Sequence, residues 1–322
     1  MFKLVDTILP ETKEMRKVLC ETMMEMAKED PSVVYFDCDV MNSIGMVPFA
    51  KEYPGRAVNC GIQEANMVAA AAGASATGLK PFTHTFGPFA ARRVIDQVYI
   101  SAAYAGLNVR MLGSDEGISA AYSGGTHMPI EDVGLMRTIP NITVLDATDT
   151  AMFRDLLRQT KDMYGVFYIR FPRAITPKIY EDGSTFEIGK AARLREGNDV
   201  TIFCSGILVA DALRAADMLA AEGITAAVSN IFTLKPIDRD AVIEAAGNTG
   251  AIVTAENATV INGLVSAVCD VLAETIPTPV EKIGVPDRFG EVGSIDYLKR
   301  IFHMTAEDIV KAAKRAITRK TR

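Results

Sequence analysis

Short apolar, β-branched runs alternate with helix-length stretches from one end of the chain to the other, and that alternation leaves few folds open. Val33-Val34-Tyr35-Phe36, Ala57-Val58-Asn59-Cys60, Pro81-Phe82-Thr83, Val109-Arg110-Met111-Leu112, Ile142-Thr143-Val144-Leu145 and Val166-Phe167-Tyr168-Ile169 each read as a strand. Helices are predicted between them: from about Glu11 to Lys28, from Glu64, from Pro88 towards Tyr104 and from Thr150 to Lys161. Strands separated by helices imply a parallel sheet covered on both faces. Between Phe171 and Gly197 the pattern gives way to Pro172, Pro177, Glu181-Asp182-Gly183-Ser184 and Arg195-Glu196-Gly197, the composition of an interdomain linker. Beyond it Val200 to Cys204, Ala226 to Val228, Ala251 to Val253 and Val280 to Ile283 predict four more strands. The closing helix, Ala306 to Ile317, follows Thr305 with Asp308 at the third helical position, close to a capping box. The expectation is an α/β protein of two doubly wound domains, each a mostly parallel sheet flanked by helices, and 322 residues suffice for two cores.

Composition narrows the function classes. A net charge of -6 carries no footprint of nucleic-acid or membrane-surface binding, and no window approaches a membrane-spanning apolar run. Five scattered cysteines, without a C-x-x-C pair, read as reduced thiols rather than a disulfide framework or zinc site, so a cytoplasmic location is expected.

In open α/β sheets, ligands bind outside the carboxyl ends of the strands. Polar, Gly-rich segments follow the strands of the first domain: Asp37 to Ser43, Gly61 to Glu64, His84 to Phe89, then Gly113 to Gly117 running on to Ser123-Gly124-Gly125-Thr126-His127-Met128-Pro129. Glu64 opens a helix, Val68 to Ala76, made almost wholly of Ala, Gly and Ser, which predicts burial on every side. An acid there either caps the helix or manages a proton. His127 sits in a Gly-rich loop, free to reach a ligand. Phe86 and Phe89 either pack the core or wall a flat heterocycle. Dinucleotide, P-loop, serine-hydrolase and zincin signatures do not occur in the sequence.

Taken in order, these residues resemble the pyrimidine-binding and C-terminal domains of the transketolase family of thiamine-diphosphate enzymes. Gly61-Ile62-Gln63-Glu64 resembles that family's glutamate motif, Thr83 to Phe89 its aromatic cofactor wall, and Gly125 to Glu131 its Thr-His-Gln-Pro loop. The resemblance continues through Leu135 to Asn141 and ends at Phe289-Gly290-Glu291. It implies a pyrimidine-binding domain over residues 1–185, including the start of the linker, and a C-terminal domain over 186–322. It also implies that Glu64 holds the cofactor's aminopyrimidine, burial favouring a shared proton, and that Phe86 and Phe89 hold the ring. His127 would hydrogen-bond the substrate, Asp39 would lie near the cofactor or a subunit interface, and Arg16 and Ser43 match positions that bind a sugar phosphate.

The family's diphosphate-binding half, with its Gly-Asp-Gly motif, is not in this sequence. The resemblance therefore implies the C-terminal subunit of a split transketolase. An N-terminal subunit would hold the diphosphate and Mg²⁺, with two copies of each chain and self-association across a dimer interface. Family members acting on common ketose phosphates carry an acid where this chain has Ser123 and a histidine where it has Asp115, and Asn257 replaces a histidine of the C-terminal domain. An unusual ketose is the corresponding expectation. The alternatives are the β subunit of a 2-oxoacid dehydrogenase, a deoxyxylulose-phosphate-synthase-like enzyme, or a non-catalytic assembly subunit.

Overall fold

The computed structural model describes residues 1–320. The first domain is built on β1 (Val33–Asp37), β2 (Ala57–Asn59), β3 (Lys80–Phe86), β4 (Val109–Ser114), β5 (Ile142–Asp146) and β6 (Val166–Phe171), all parallel, in the order 5-6-4-3-1-2. The second is built on β7 (Ala192–Arg195), β8 (Val200–Cys204), β9 (Ala226–Asn230), β10 (Thr233–Lys235), β11 (Ile252–Thr259) and β12 (Val280–Val285). Its own five-stranded sheet runs 12-11-8-9-7 and is parallel except for β7. The short β10 leaves that sheet and pairs antiparallel with β5, completing a seven-stranded sheet in the first domain. Among the described residues, no helix is long and apolar enough to cross a membrane.

Four local expectations are corrected. The passage read as a linker to Gly197 contains the strand Ala192–Arg195, whose alternating burial is too short a signal to stand out. The same passage is anchored to the amino terminus by the bridges Leu4 to Tyr180 and Pro10 to Pro177. The third strand runs on to Phe86, so His84 lies inside the sheet rather than in the loop beyond it. The helix from Pro88 is not continuous: Gly87–Ala91 tightens into a 3₁₀ turn at Arg92–Val94, and Val98–Tyr104 is π-helical.

The fourth correction concerns the small-residue helix Glu64–Ala76, which is not buried on every side. Met67, Val68, Ala71, Ala72 and Ser75 face the interior, while Asn66, Ala69, Ala70, Gly73 and Ala76 are exposed. Alanine has so little area that leaving it in water costs almost nothing, and composition alone cannot tell its two faces apart.

A buried network joins the domains. Arg170 of β6 is wholly buried, with Nε 3.0 Å from Asp132, Nη1 3.4 Å from Asp146 and Nη2 donating over 2.9 Å to the Asn257 carbonyl. The Tyr168 hydroxyl donates to Asp132 at 2.8 Å. Asn257 donates to the Glu116 carbonyl at 2.9 Å and accepts from the Ile118 amide at 2.9 Å, so a β11 residue clamps the loop after β4. Gly117 is the residue this clamp requires: its φ is +49°, and a Cβ there would sit 2.1 Å from the Asn257 carbonyl oxygen. Burial, then repulsion by Asp146, pushes the Glu116 acid well above the usual range.

A second buried acid, Glu256, accepts from the amides of Leu264 (2.7 Å) and Val265 (3.0 Å) and so caps the helix Leu264–Glu274. Burial pushes its carboxyl up to about 7 despite those two bonds. Well below pH 4.5 the group is neutral in both folded and unfolded chains. Between 4.5 and 7 the folded chain keeps a proton the unfolded one has lost, so stability falls as pH rises, by ~1.4 kcal/mol for each pH unit. The melting temperature is expected to decline over that window and level off above it, and Glu256→Gln to flatten the decline. Parallel slopes for the two proteins would contradict this.

Candidate active site

The carboxyl ends of β1, β2, β3, β4 and β6 lie side by side, and the residues that follow them make one edge of the sheet. At the end of β2, the Asn59 side chain accepts from the amides of Asp39 (3.0 Å) and Gly61 (2.9 Å) and donates to Asp39 Oδ1 (3.2 Å). Asp39 has the left-handed φ of 63°, which short polar side chains tolerate. Its structural work is therefore to fasten the turn that delivers Glu64 to its helix. Glu64 is 3% exposed and begins that helix, where the macrodipole favours an anion.

Phe86 closes β3, and Phe89 stands one helical turn on, their ring centroids 6.5 Å apart at 65°. His127 meets both edge-on, 5.8 Å from Phe86 and 5.4 Å from Phe89. The loop reaches them because Gly87 lets Pro129 pack against the backbone, where a Cβ would come within 2.5 Å of the ring. Arg92 holds the same loop, pairing with Glu131 at 2.9 Å. The Thr126 hydroxyl lies 2.9 Å from His127 Nδ1. Gly290 packs on Met128 and Gly125, so the Phe289-Gly290-Glu291 segment of the second domain backs the histidine loop. Ser123 is exposed at the end of the turn Gly117–Ser123.

Two arginines complete the site: from sequence Arg93, beside Arg92, reads as either solvated or paired with a nearby acid, and Arg173 falls in the passage read as linker. Arg93 puts Nη1 2.7 Å from both oxygens of Glu64, with its guanidinium carbon 4.2 Å above the Phe89 ring. Arg173 pairs with Asp115 at 2.8 Å and lies 4.8 Å over the Phe86 ring. Arg92 and Arg93 are neighbours in sequence, and each is paired with an acid rather than left to solvent. Arg173 follows β6, so the rule that picks out the other loops applies to it too. Its neighbour Pro172 and the turn-rich stretch beyond it place it with the linker instead.

Of the anion-binding candidates, Arg16 and Ser43 are brought together, but through the Ser43 carbonyl, which accepts from Arg16 Nη1 at 3.0 Å. The remaining face of the Arg16 fork is on Glu14. The Arg16 amide donates to the Arg173 carbonyl at 3.2 Å, placing the two arginines on adjacent backbone. His84, a weaker candidate, is wholly buried, with Nε2 3.0 Å from Ser114 Oγ and Nδ1 3.8 Å from Asp37, and desolvation lowers its pKa. It braces the floor between β1 and β4.

The arrangement is a buried acid at a helix start, an aromatic corner with an imidazole on its rim, and an arginine beside each aromatic ring. Such a corner has the groups to hold a flat, nitrogen-bearing ring and to meet an anion-tipped substrate beside it.

The chain matches the family model of the transketolase pyrimidine binding domain over residues 11–178 and that of the transketolase C-terminal domain over residues 189–309. It is 49% identical over 306 residues to a 6-deoxy-6-sulfo-D-fructose transketolase subunit of Clostridium sp. (strain MSTE9), covering 95% of each chain. It is 34% identical over 299 residues to an apulose-4-phosphate transketolase subunit of Phocaeicola vulgatus, covering 92% of this chain and 96% of that one. Among solved structures it superposes with a TM-score of 0.88 on a split gene transketolase described as an inactive beta4 tetramer, at 40% identity, covering 96% of this chain and 99% of that one.

Proposed function

The chain belongs to the transketolase family as a subunit of its split, C-terminal type, and from that premise we propose that it activates the cofactor of a two-chain enzyme moving a ketol unit from 6-deoxy-6-sulfofructose to an aldose. The observation that carries the reading is the convergence of Glu64, Phe86, Phe89 and His127 on one corner. The residues suit thiamine diphosphate: between Glu64 and Phe89 a planar, N–H-bearing group, the Arg93 guanidinium, is already accommodated. When bound, that cofactor supplies the nucleophilic carbon that takes up and hands on the two-carbon unit. Glu64 holds the aminopyrimidine and shares a proton with it, Phe86 and Phe89 exclude water from its faces, and His127 donates to a substrate oxygen. A separate chain holds the diphosphate and Mg²⁺, with two copies of each subunit in the working enzyme.

The choice of substrate rests on charge. Arg173 lies over Phe86 and Arg16 is bonded to the Arg173 backbone, but Asp115 and Glu14 already neutralise the two cations. A sulfonate carries one negative charge, whereas a phosphate monoester near neutral pH approaches two. An acid at position 115 therefore penalises the phosphate more. The 49% identity to a sulfofructose transketolase subunit supports the same choice.

The test is to co-purify the chain with its diphosphate-binding partner, add thiamine diphosphate and Mg²⁺, and compare 6-deoxy-6-sulfofructose with fructose 6-phosphate as donor. The sulfonate should be favoured in kcat/KM by about tenfold or more, ~1.4 kcal/mol at the transition state, and Asp115→His should narrow the gap. Equal use of the two donors would defeat the substrate assignment. Decarboxylation of a 2-oxoacid without ketol transfer would defeat the reaction itself.

A further inference from the structure

Arg93 does three things that a bound aminopyrimidine would have to do. It is planar, its guanidinium carbon lies over the Phe89 ring 4.2 Å from the centroid, and it places an N–H donor 2.7 Å from each oxygen of Glu64. Two planar groups cannot share that volume. We propose that Arg93 is a resident stand-in for the aminopyrimidine, keeping Glu64 satisfied and the Phe89 face covered until it is displaced by cofactor. The proposal rests on the thiamine-diphosphate reading above.

The two partners are not equally free to move. Glu64 is 3% exposed and fixed at a helix start, so an unpaired charge there would be costly. The Arg93 side chain is 46% exposed, and its long stem allows the guanidinium to swing into water and stay solvated. Displacement therefore strands no charge on the arginine side. The movement that clears the corner also frees both Glu64 oxygens for a new donor.

A further consequence is an affinity penalty. If most of the unloaded enzyme has Arg93 seated, apparent cofactor affinity is reduced by the unseated fraction. The test uses the assembled two-chain enzyme at fixed Mg²⁺ and measures thiamine diphosphate binding by isothermal titration calorimetry, with circular-dichroism melting to verify the fold of each protein. Arg93→Met, which keeps bulk and loses the donors, should bind about tenfold more tightly than the wild type. Arg93→Lys, able to pair with Glu64 but not to stack as a plane, should fall between and carries the measurement if the methionine variant does not fold. In a Glu64→Gln background the gain from Arg93→Met should shrink, because the carboxylate being contested is gone. Unchanged or weaker binding by Arg93→Met and Arg93→Lys would overturn the proposal. Failure of the wild-type assembly to bind the cofactor at all would instead overturn the reading it rests on.

Discussion

Glu64→Ala is expected to lower ketol transfer by the assembled enzyme about a thousandfold or more, while leaving the melting temperature nearly unchanged. General acid–base assistance contributes 10²- to 10⁴-fold in well-placed cases, and Glu64 is the buried carboxylate that reaches the Phe86 and Phe89 corner through Arg93. The cost to stability is small for an identifiable reason. The partner left behind, Arg93, is half exposed and returns to water, and an acid at a helix start contributes only ~0.3–1 kcal/mol. Glu64→Gln should be nearly as impaired, since an amide cannot shuttle the proton. Steady-state rates together with circular-dichroism melts check both halves, and activity within tenfold of wild type would remove Glu64 from the mechanism.

Arg170→Met is expected to have the opposite profile, a loss of fold rather than of chemistry. Asp132 and Asp146 pair with this one guanidinium, and the Glu116 acid lies close enough to raise its pKa. Burial pushes all three carboxyls upward, and the cation pulls Asp132 and Asp146 back towards ionisation. Deleting it leaves buried acids without a counter-charge, a change that costs roughly 3–5 kcal/mol. At about 2–4 °C per kcal/mol, the melting temperature should drop by roughly 10 °C, if the variant accumulates at all. Arg170→Lys should recover little, because one ammonium cannot span Asp132, Asp146 and the Asn257 carbonyl as the planar fork does. A wild-type melt for Arg170→Met would show that the network is incidental.

Legibility in the sequence followed the range of the forces involved. Parallel strands buried on both faces must be continuous apolar runs, so β1, β4, β5, β6 and β8 stand out from composition alone. The capping box at Thr305 and Asp308 is legible because it is local, and the structure has both of its reciprocal bonds. Strands of three or four residues, such as Ala192–Arg195 and Thr233–Lys235, are made by their neighbours and carry almost no periodicity. The same holds at the site. Glu64, Phe86, Phe89 and His127 stand in recognisable short motifs, whereas Arg93 and Arg173 matter through partners 29 and 58 residues distant in the chain. Asn257 is visible in the sequence as a departure from a family pattern, but its clamp on Glu116 and Ile118 spans the two domains and is not.

The strand Thr233–Lys235 bears on how this protein can be taken apart. It is encoded in the second half of the chain but is spent on the sheet of the first, covering the edge of β5. A fragment ended near residue 185 would carry that edge bare, a row of unpaired amides and carbonyls inviting strand-to-strand aggregation. The complementary fragment would be left with a short strand and no sheet to receive it. The two domains are thus expected to be expressed and folded best together, although each has a sheet of its own.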